Sequence, residues 1–408
     1  MSYRFPAEFS RQARVMMASS TYQSFRRCWP VNDVKLAMCA ELLKSESVLF
    51  LVNSTDEADA FRRDLSARGV DLCRLECRVV PHSDHWVRDV GGTFVLDAAG
   101  KLNVIQWKFD GYGYNSHMCE ADRASFVHDA GLAARVAASL SLPLVPVDLV
   151  CEGGNLHVNG QGLVMATERG LLDQNPQKSK KEIEELIHGA LGTSKLLWLP
   201  EVLASDVHAV KLSPFRFGGN EWVTAMGVNH VDELAVFCSP DTVLLPEITD
   251  EELREAQEAQ DPTAAISRRA LDKALEVLLA NNLNVVRVPE PGPIIVELTP
   301  QDAMYGVLAS FAAHEPNKWR GTALFAEGKP VKHLMAASYM NFLVANDVCL
   351  VPRFYKTGRD ARLQEKDEKF RATIELLFAP RRVAQIDVDA LAVGGGGMHC
   401  ISQQIPQA

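Results

Sequence analysis

An α/β fold is predicted by three features of this 408-residue sequence. Short apolar runs of strand length recur along the chain. Segments with helical spacing lie between many of them, and no Pro- or Ser-rich linker interrupts the series. Together they point to one α/β domain spanning residues 1–408. Residues 47–52 (Ser47-Val48-Leu49-Phe50-Leu51-Val52) form a short buried-strand pattern, and 56–68 follow with helical spacing. The next strand is expected over 71–80. Further strands are expected at 92–96, 102–109, 162–166, 196–199, 234–237, 284–288, 348–351 and 383–386. Helical patterns occupy 123–140, 180–191, 250–260, 264–280 and 360–377. The stretches 204–221 and 298–332 are less regular and richer in turn residues. They are expected to be surface insertions, a common place for specificity loops.

Composition narrows the function classes. Hydrophobic residues make up 47% of the chain and the formal net charge is −10, values of an ordinary globular protein. No run approaches the roughly 18–20 apolar residues of a membrane helix. The start Met1-Ser2-Tyr3-Arg4-Phe5-Pro6 lacks the features of a signal peptide. Nine scattered cysteines imply free thiols in a reducing compartment, so a cytoplasmic location is expected. The acidic balance disfavours nucleic acid, which needs clustered Lys and Arg. It mildly favours a small cationic substrate by steering.

Five local segments stand out. Asp84-His85-Trp86-Val87-Arg88-Asp89-Val90-Gly91-Gly92-Thr93 sets Asp89 beside paired glycines at the start of an apolar strand. Cys151-Glu152-Gly153-Gly154-Asn155 lets backbone approach a ligand closely, and Asn159-Gly160 is a hairpin signal. In Asn229-His230-Val231-Asp232-Glu233-Leu234, an extended backbone would put His230 and Asp232 on one face. Such a pair offers a general acid/base and an anionic partner for a cation. Ala337-Ser338-Tyr339-Met340-Asn341-Phe342 reads mainly as a folding signal. Last, Gly394-Gly395-Gly396-Gly397-Met398-His399-Cys400 resembles a phosphate loop only superficially, because the Lys-Ser/Thr of such a loop is missing. Cys400 after four glycines fits a presented nucleophile. His82, Asp84 and His85, and the pair Cys73 and Cys77, lack a second ligand pair at zinc spacing, so no metal is expected.

Taken in order, these segments and Trp107-Lys108-Phe109 resemble the agmatine deiminase and bacterial-type peptidylarginine deiminase family of guanidine-modifying enzymes. The resemblance runs from about residue 80 to the C-terminus. It implies a pseudo-fivefold α/β propeller of ββαβ-type modules, called the pentein fold, with one central active site. It implies Cys400 as nucleophile, His230 as general acid/base, and Asp89 and Asp232 as carboxylates that grip a guanidinium. Glu152 would sit in or beside the same pocket, and Trp86 would pack along the substrate. Where the family usually has Asn and Asn, this chain has Gly397 and Glu233; Asn229 stands in place of Gly, and Gly91-Gly92 in place of Gly-Pro.

The chemistry agrees with that assignment. Two carboxylates can pair with the edges of a planar guanidinium and hold its carbon over a thiolate. A cationic neighbour lowers the thiol pKa from its usual value of about 8.5. No cofactor is needed. The expected reaction is deimination of an agmatine-like guanidine to a ureido product and ammonia through S-amidino-cysteine. Arginine or peptidyl arginine as substrate, amidino transfer, and guanidine binding without turnover remain open alternatives, as does assembly into a homo-oligomer.

Overall fold

Five three-stranded units repeat one topology among the residues described by the computed structural model, which are 3–20, 29–114, 120–209, 215–217, 220–224, 227–314, 325 and 328–408. In each unit a short first strand runs antiparallel to the second, and a third strand pairs parallel with the second. One unit is Thr93–Leu96, Leu102–Lys108 and Leu144–Val150. The next is His157–Val158, Leu163–Thr167 and Lys195–Leu199. Val236–Ser239, Thr242–Glu247 and Asn284–Pro289 form the third, and Leu343–Val344, Val348–Arg353 and Arg382–Asp387 the fourth. The fifth joins the two ends of the chain. Ser402–Pro406 lies antiparallel to Gln12–Ala18, which pairs parallel with Val48–Val52, and Leu75–Val79 extends that sheet.

Parallel pairing needs a crossover, and helices supply it. They are Leu132–Leu140, Lys180–Leu191, Pro262–Ala280, Arg362–Leu377 and Val31–Leu42 in the same order of units. Their sequences explain their ends. Ser179 and Glu182 form a capping box at the start of Lys180–Leu191, and Gly192, at φ 68°, closes it in a left-handed turn. Asp261 caps Pro262–Ala280 with Pro262 in the first turn, where its missing N–H is harmless. The apolar faces meet in shared cores. Phe50, Phe370 and Ile374 are fully or nearly fully buried in the largest of them, each worth about 1.5–3 kcal/mol.

Several expectations are corrected. The helix expected over 123–140 is two helices, Glu120–Asp129 and Leu132–Leu140, separated at Ala130-Gly131. The strand expected over 71–80 is only Leu75–Val79. Strands Gln12–Ala18 and Ser402–Pro406 and helix Val31–Leu42 were not expected. The two stretches expected to be irregular contain regular elements and meet each other. Asn220–Thr224 pairs parallel with Val331–Leu334, which is flanked by Ile295–Leu298, so parts of both stretches share one sheet. Ala204–Ala209 and Ala303–His314 are helical. Residues 210–214, 218–219, 315–324 and 326–327 of those stretches lie outside the described residues. Among the described residues, no helix is long and apolar enough to cross a membrane.

The five chemistry-bearing segments occupy one equivalent place. Each is the tight turn immediately before the first strand of a unit. Val87–Val90 precedes Thr93–Leu96, and Gly153–Asn155 precedes His157–Val158. Val231–Glu233 precedes Val236–Ser239, Tyr339–Met340 precede Leu343–Val344, and His399–Cys400 precede Ser402–Pro406. Repetition of the fold therefore brings segments far apart in sequence to one site.

Candidate active site

Gly154 marks the meeting point. A methyl group on its α-carbon would lie 2.6 Å from His230 Nδ1, 2.8 Å from Asp89 Oδ1 and 3.1 Å from Asp232 Oδ2. Three polar side chains from two other units thus converge on a residue with no side chain. Gly153 is equally constrained, since a methyl there would lie 2.2 Å from the Arg88 carbonyl. Asp89 sits in the short helix Val87–Val90, not at a strand start. Its Oδ1 accepts the Gly154 N–H at 2.9 Å and its Oδ2 accepts the Tyr112 hydroxyl at 3.0 Å. His230 is itself extended and immediately precedes a 3₁₀ turn that holds Asp232, so the two-residue strand period does not relate the pair. The turn still directs both to the same site.

His230 lies between two carboxylates, with Nδ1 3.6 Å from Asp89 Oδ1 and Nε2 3.5 Å from Glu152 Oε2. Burial disfavours a charged ring, but Asp89, Glu152 and Asp232 overcome it and raise the pKa to about 9. Burial raises Glu152 to about 6, with His230 opposing the rise. Near neutral pH the pair is imidazolium and carboxylate. Gln174 Nε2 donates to the other Glu152 oxygen at 3.2 Å and fixes its plane.

Cys400 is buried, with Sγ 3.4 Å from Asp232 Oδ2. Asn341 Nδ2 donates to the sulfur at 3.0 Å, and its Oδ1 accepts the N–H groups of His399 and Cys400 at 3.0 and 3.3 Å. Burial, then Asp232, Glu233 and Asp89, hold the thiol pKa well above its usual value. This corrects the expectation of a thiol already lowered by a cationic neighbour. Glu233 is pushed well above the usual carboxylate range by burial and by Asp232 and Asp206, and its Oε1 accepts from Asn341 at 3.0 Å. Trp86 is half-buried against the glycine run. A methyl on Gly396 would lie 2.9 Å from its ring and 3.2 Å from the Cys400 sulfur.

All six side chains expected in the site (Cys400, His230, Asp89, Asp232, Glu152 and Trp86) are thus gathered around these turns. Sequence reasoning missed Asn341, Tyr112, His399 and Glu8. Asn341 and His399 stood inside motifs already singled out, and their polarity beside apolar neighbours was the available signal. His399 bridges Asp232 Oδ2 and Glu8 Oε1, each at 2.7 Å. Two clusters among the described residues have donor atoms close enough for a metal: Glu8, His157 and His399, and Asp232, Glu233 and Cys400. Most of their groups are already engaged, although His157 Nε2 and Asp232 Oδ1 have no hydrogen-bond partner among the described residues. Both ring nitrogens of His399 face carboxylates, Arg88 pairs with Glu8, and Asn341 contacts both Glu233 and the sulfur. Of the histidines weighed in the sequence as ligands, the His82 ring lies within hydrogen-bond distance of the Val80 and Ser19 carbonyls, and His85 Nδ1 lies 3.4 Å from Asp84 Oδ1. The seven described cysteines are free.

Comparison with known proteins places this geometry. Residues 4–211 and 222–406 match the family described as Porphyromonas-type peptidyl-arginine deiminase. A Streptomyces coelicolor protein named "Putative agmatine deiminase" is 28% identical over 100% of both chains. The solved agmatine deiminase of Enterococcus faecalis superposes with a TM-score of 0.72 at 24% identity, covering 100% of this chain and 96% of that one. A C. jejuni agmatine deiminase variant solved with substrate bound gives 0.69 at 17% identity, covering 100% and 97%. The chain therefore shares the pentein fold of these structures, and it belongs to the Porphyromonas-type peptidyl-arginine deiminase family.

Proposed function

We propose that this protein hydrolyses a guanidinium substrate to a ureido product and ammonia, with Cys400 as nucleophile and His230 as proton carrier. The observation that carries the reading is a buried thiol set among Asp232, Glu233 and Asp89, with one oxygen of Asp232, Oδ1, lacking a hydrogen-bond partner among the described residues. An unpaired buried carboxylate oxygen is costly, and a guanidinium N–H is the donor that would satisfy it.

The cation entering between Asp89 and Asp232 offsets the negative field on Cys400, and the thiol proton leaves to solvent. Sulfur adds to the guanidinium carbon, forming a neutral tetrahedral adduct. His230 gives its proton to the departing nitrogen, and ammonia leaves an S-amidino cation. Neutral His230 then takes a proton from water as the hydroxyl adds to that carbon. The C–S bond breaks, sulfur departs as thiolate, and the ureido product forms with loss of one proton. Atoms balance as guanidinium plus water giving ureido compound plus ammonium.

Agmatine is the first candidate, because similar proteins bear that name and the site presents carboxylates to the substrate. Peptidyl arginine is the second, from the family description. Incubation with agmatine, arginine and an arginine peptide, followed by assay of ureido product, tests the reading. Product from at least one, abolished in Cys400→Ser with folding retained, is expected. No ureido product from any guanidine overturns it.

A further inference from the structure

Behind Asp232 lies a buried chain of charges that the reaction steps do not use. His399 Nδ1 meets Asp232 Oδ2 at 2.7 Å and His399 Nε2 meets Glu8 Oε1 at 2.7 Å. Glu8, just before the strand Gln12–Ala18, is 8% exposed. Arg88 Nη1 donates to its Oε1 at 3.1 Å and Gln404 Nε2 to its Oε2 at 3.1 Å. His157 Nε2 lies 3.9 Å from Glu8 Oε2, and its ring is 6.3 Å from that of His399. These groups come from both ends of the chain and from two other units, so their assembly is a product of ring closure.

We propose that Glu8 and His399 are positioning residues, clamping one oxygen of Asp232 so that the other is aimed at the guanidinium; this rests on the deiminase reading of the site. A carboxylate turns easily about its last torsion, which is broad and two-fold. A ring that donates from both nitrogens to fixed carboxylates cannot flip, and it pins Oδ2 beside the Cys400 sulfur. Oδ1 is left facing the substrate. The charges support this arrangement. Burial and Arg88 oppose a charged His399 ring, yet Glu8 and Asp232 raise its pKa. Burial opposes ionisation of Glu8, but His399, Arg88 and His157 hold its pKa well below the usual range.

Glu8→Gln separates this role from simple packing. The ring then keeps its proton through Asp232 alone, against Arg88. A glutamine amide can either accept or donate at Nε2, so the neutral ring can also adopt the tautomer that turns a lone pair toward Asp232. The expected result is a rise in KM for the guanidine of about tenfold or more with a smaller change in kcat. That rise should steepen as pH increases between about 6 and 8, the range of ordinary imidazole titration. Wild-type specificity and pH profile in a folded Glu8→Gln protein overturn the proposal.

A measurement on the unmodified protein keeps the test independent of that variant's folding. Nitrogen NMR of His399 should show both ring nitrogens still protonated above the ordinary imidazole midpoint, as two carboxylates at 2.7 Å demand. A ring that titrates at the ordinary midpoint overturns the clamp. Neither NMR result depends on turnover, so absence of ureido product in the wild type would sink the deiminase reading separately.

Discussion

Asn341 holds Cys400 from two sides, donating from Nδ2 to the sulfur at 3.0 Å while its Oδ1 accepts the Cys400 N–H at 3.3 Å. One amide thus sets both the orientation of the turn and the environment of the nucleophile. A donor aimed at sulfur favours the thiolate over the thiol. We predict that Asn341→Ala slows alkylation of Cys400 and lowers kcat. A hydrogen bond to a charged group is worth about 1.5–3 kcal/mol, or roughly 10- to 150-fold in rate. Stopped-flow alkylation across pH checks this, and a wild-type thiolate titration in the variant would contradict it.

Gly397 is tied to the same amide. A methyl there would lie 2.6 Å from Asn341 Oδ1 and 3.0 Å from its Cβ and Cγ. Restoring the residue that the family usually carries should therefore harm this chain. Gly397→Asn is predicted to push Asn341 off the sulfur and reduce kcat by about tenfold or more, on the order of the loss expected for a misplaced reacting group. Equal or greater turnover in Gly397→Asn would show that Asn341 has room to move.

The paired shifts of Glu152 and His230 set a pH profile. The working pair is ionised Glu152 and protonated His230, with pKa values of about 6 and about 9. In the free enzyme, the contribution of this pair to kcat/KM should set in as pH passes about 6 and be lost as it passes about 9, superposed on the rise with pH that loss of the Cys400 proton brings. Glu152→Gln removes one anion from His230 and should draw the alkaline limb downward. An unmoved limb would mean that Glu152 does not sustain the charge on His230. The same raised His230 pKa links to stability. Its contribution is complete below the unfolded value of about 6.5 and is lost as pH rises through about 9.

Much of the α/β plan was legible, because buried strands such as Val48–Val52 and capped helices such as Lys180–Leu191 carry their own local signals. Gln12–Ala18 was not. Its Met16, Met17 and Ala18 have no strong strand preference, and its antiparallel partner is Ser402–Pro406 at the other end of the chain. Glu8 was hidden for the same reason, since its meaning comes from His399 across that closure. The site residues Asp89, Asp232, His230 and Cys400 were legible as types within glycine-rich or paired motifs. Their geometry was not: Asp232 meets the site from a 3₁₀ turn that His230 precedes, which a two-residue strand period could not foresee.

Gly154 yields the sharpest test of the shared site. Added bulk there would press at once on His230 Nδ1 at 2.6 Å, Asp89 Oδ1 at 2.8 Å and Asp232 Oδ2 at 3.1 Å. All three are side-chain atoms, which can yield by rotating, whereas at Gly153 the obstacle is the Arg88 carbonyl in the backbone at 2.2 Å. The two neighbouring glycines should therefore fail differently. Gly154→Ala is predicted to keep most of its thermal stability and to lose about a hundredfold or more in kcat/KM, because a displacement of about 1 Å is enough for such a loss. Gly153→Ala should instead lower the melting temperature and soluble yield, since backbone must move. Thermal melts and steady-state kinetics on the two variants decide the matter. Normal kcat/KM in Gly154→Ala would mean that His230, Asp89 and Asp232 do not act from the positions they hold around this glycine.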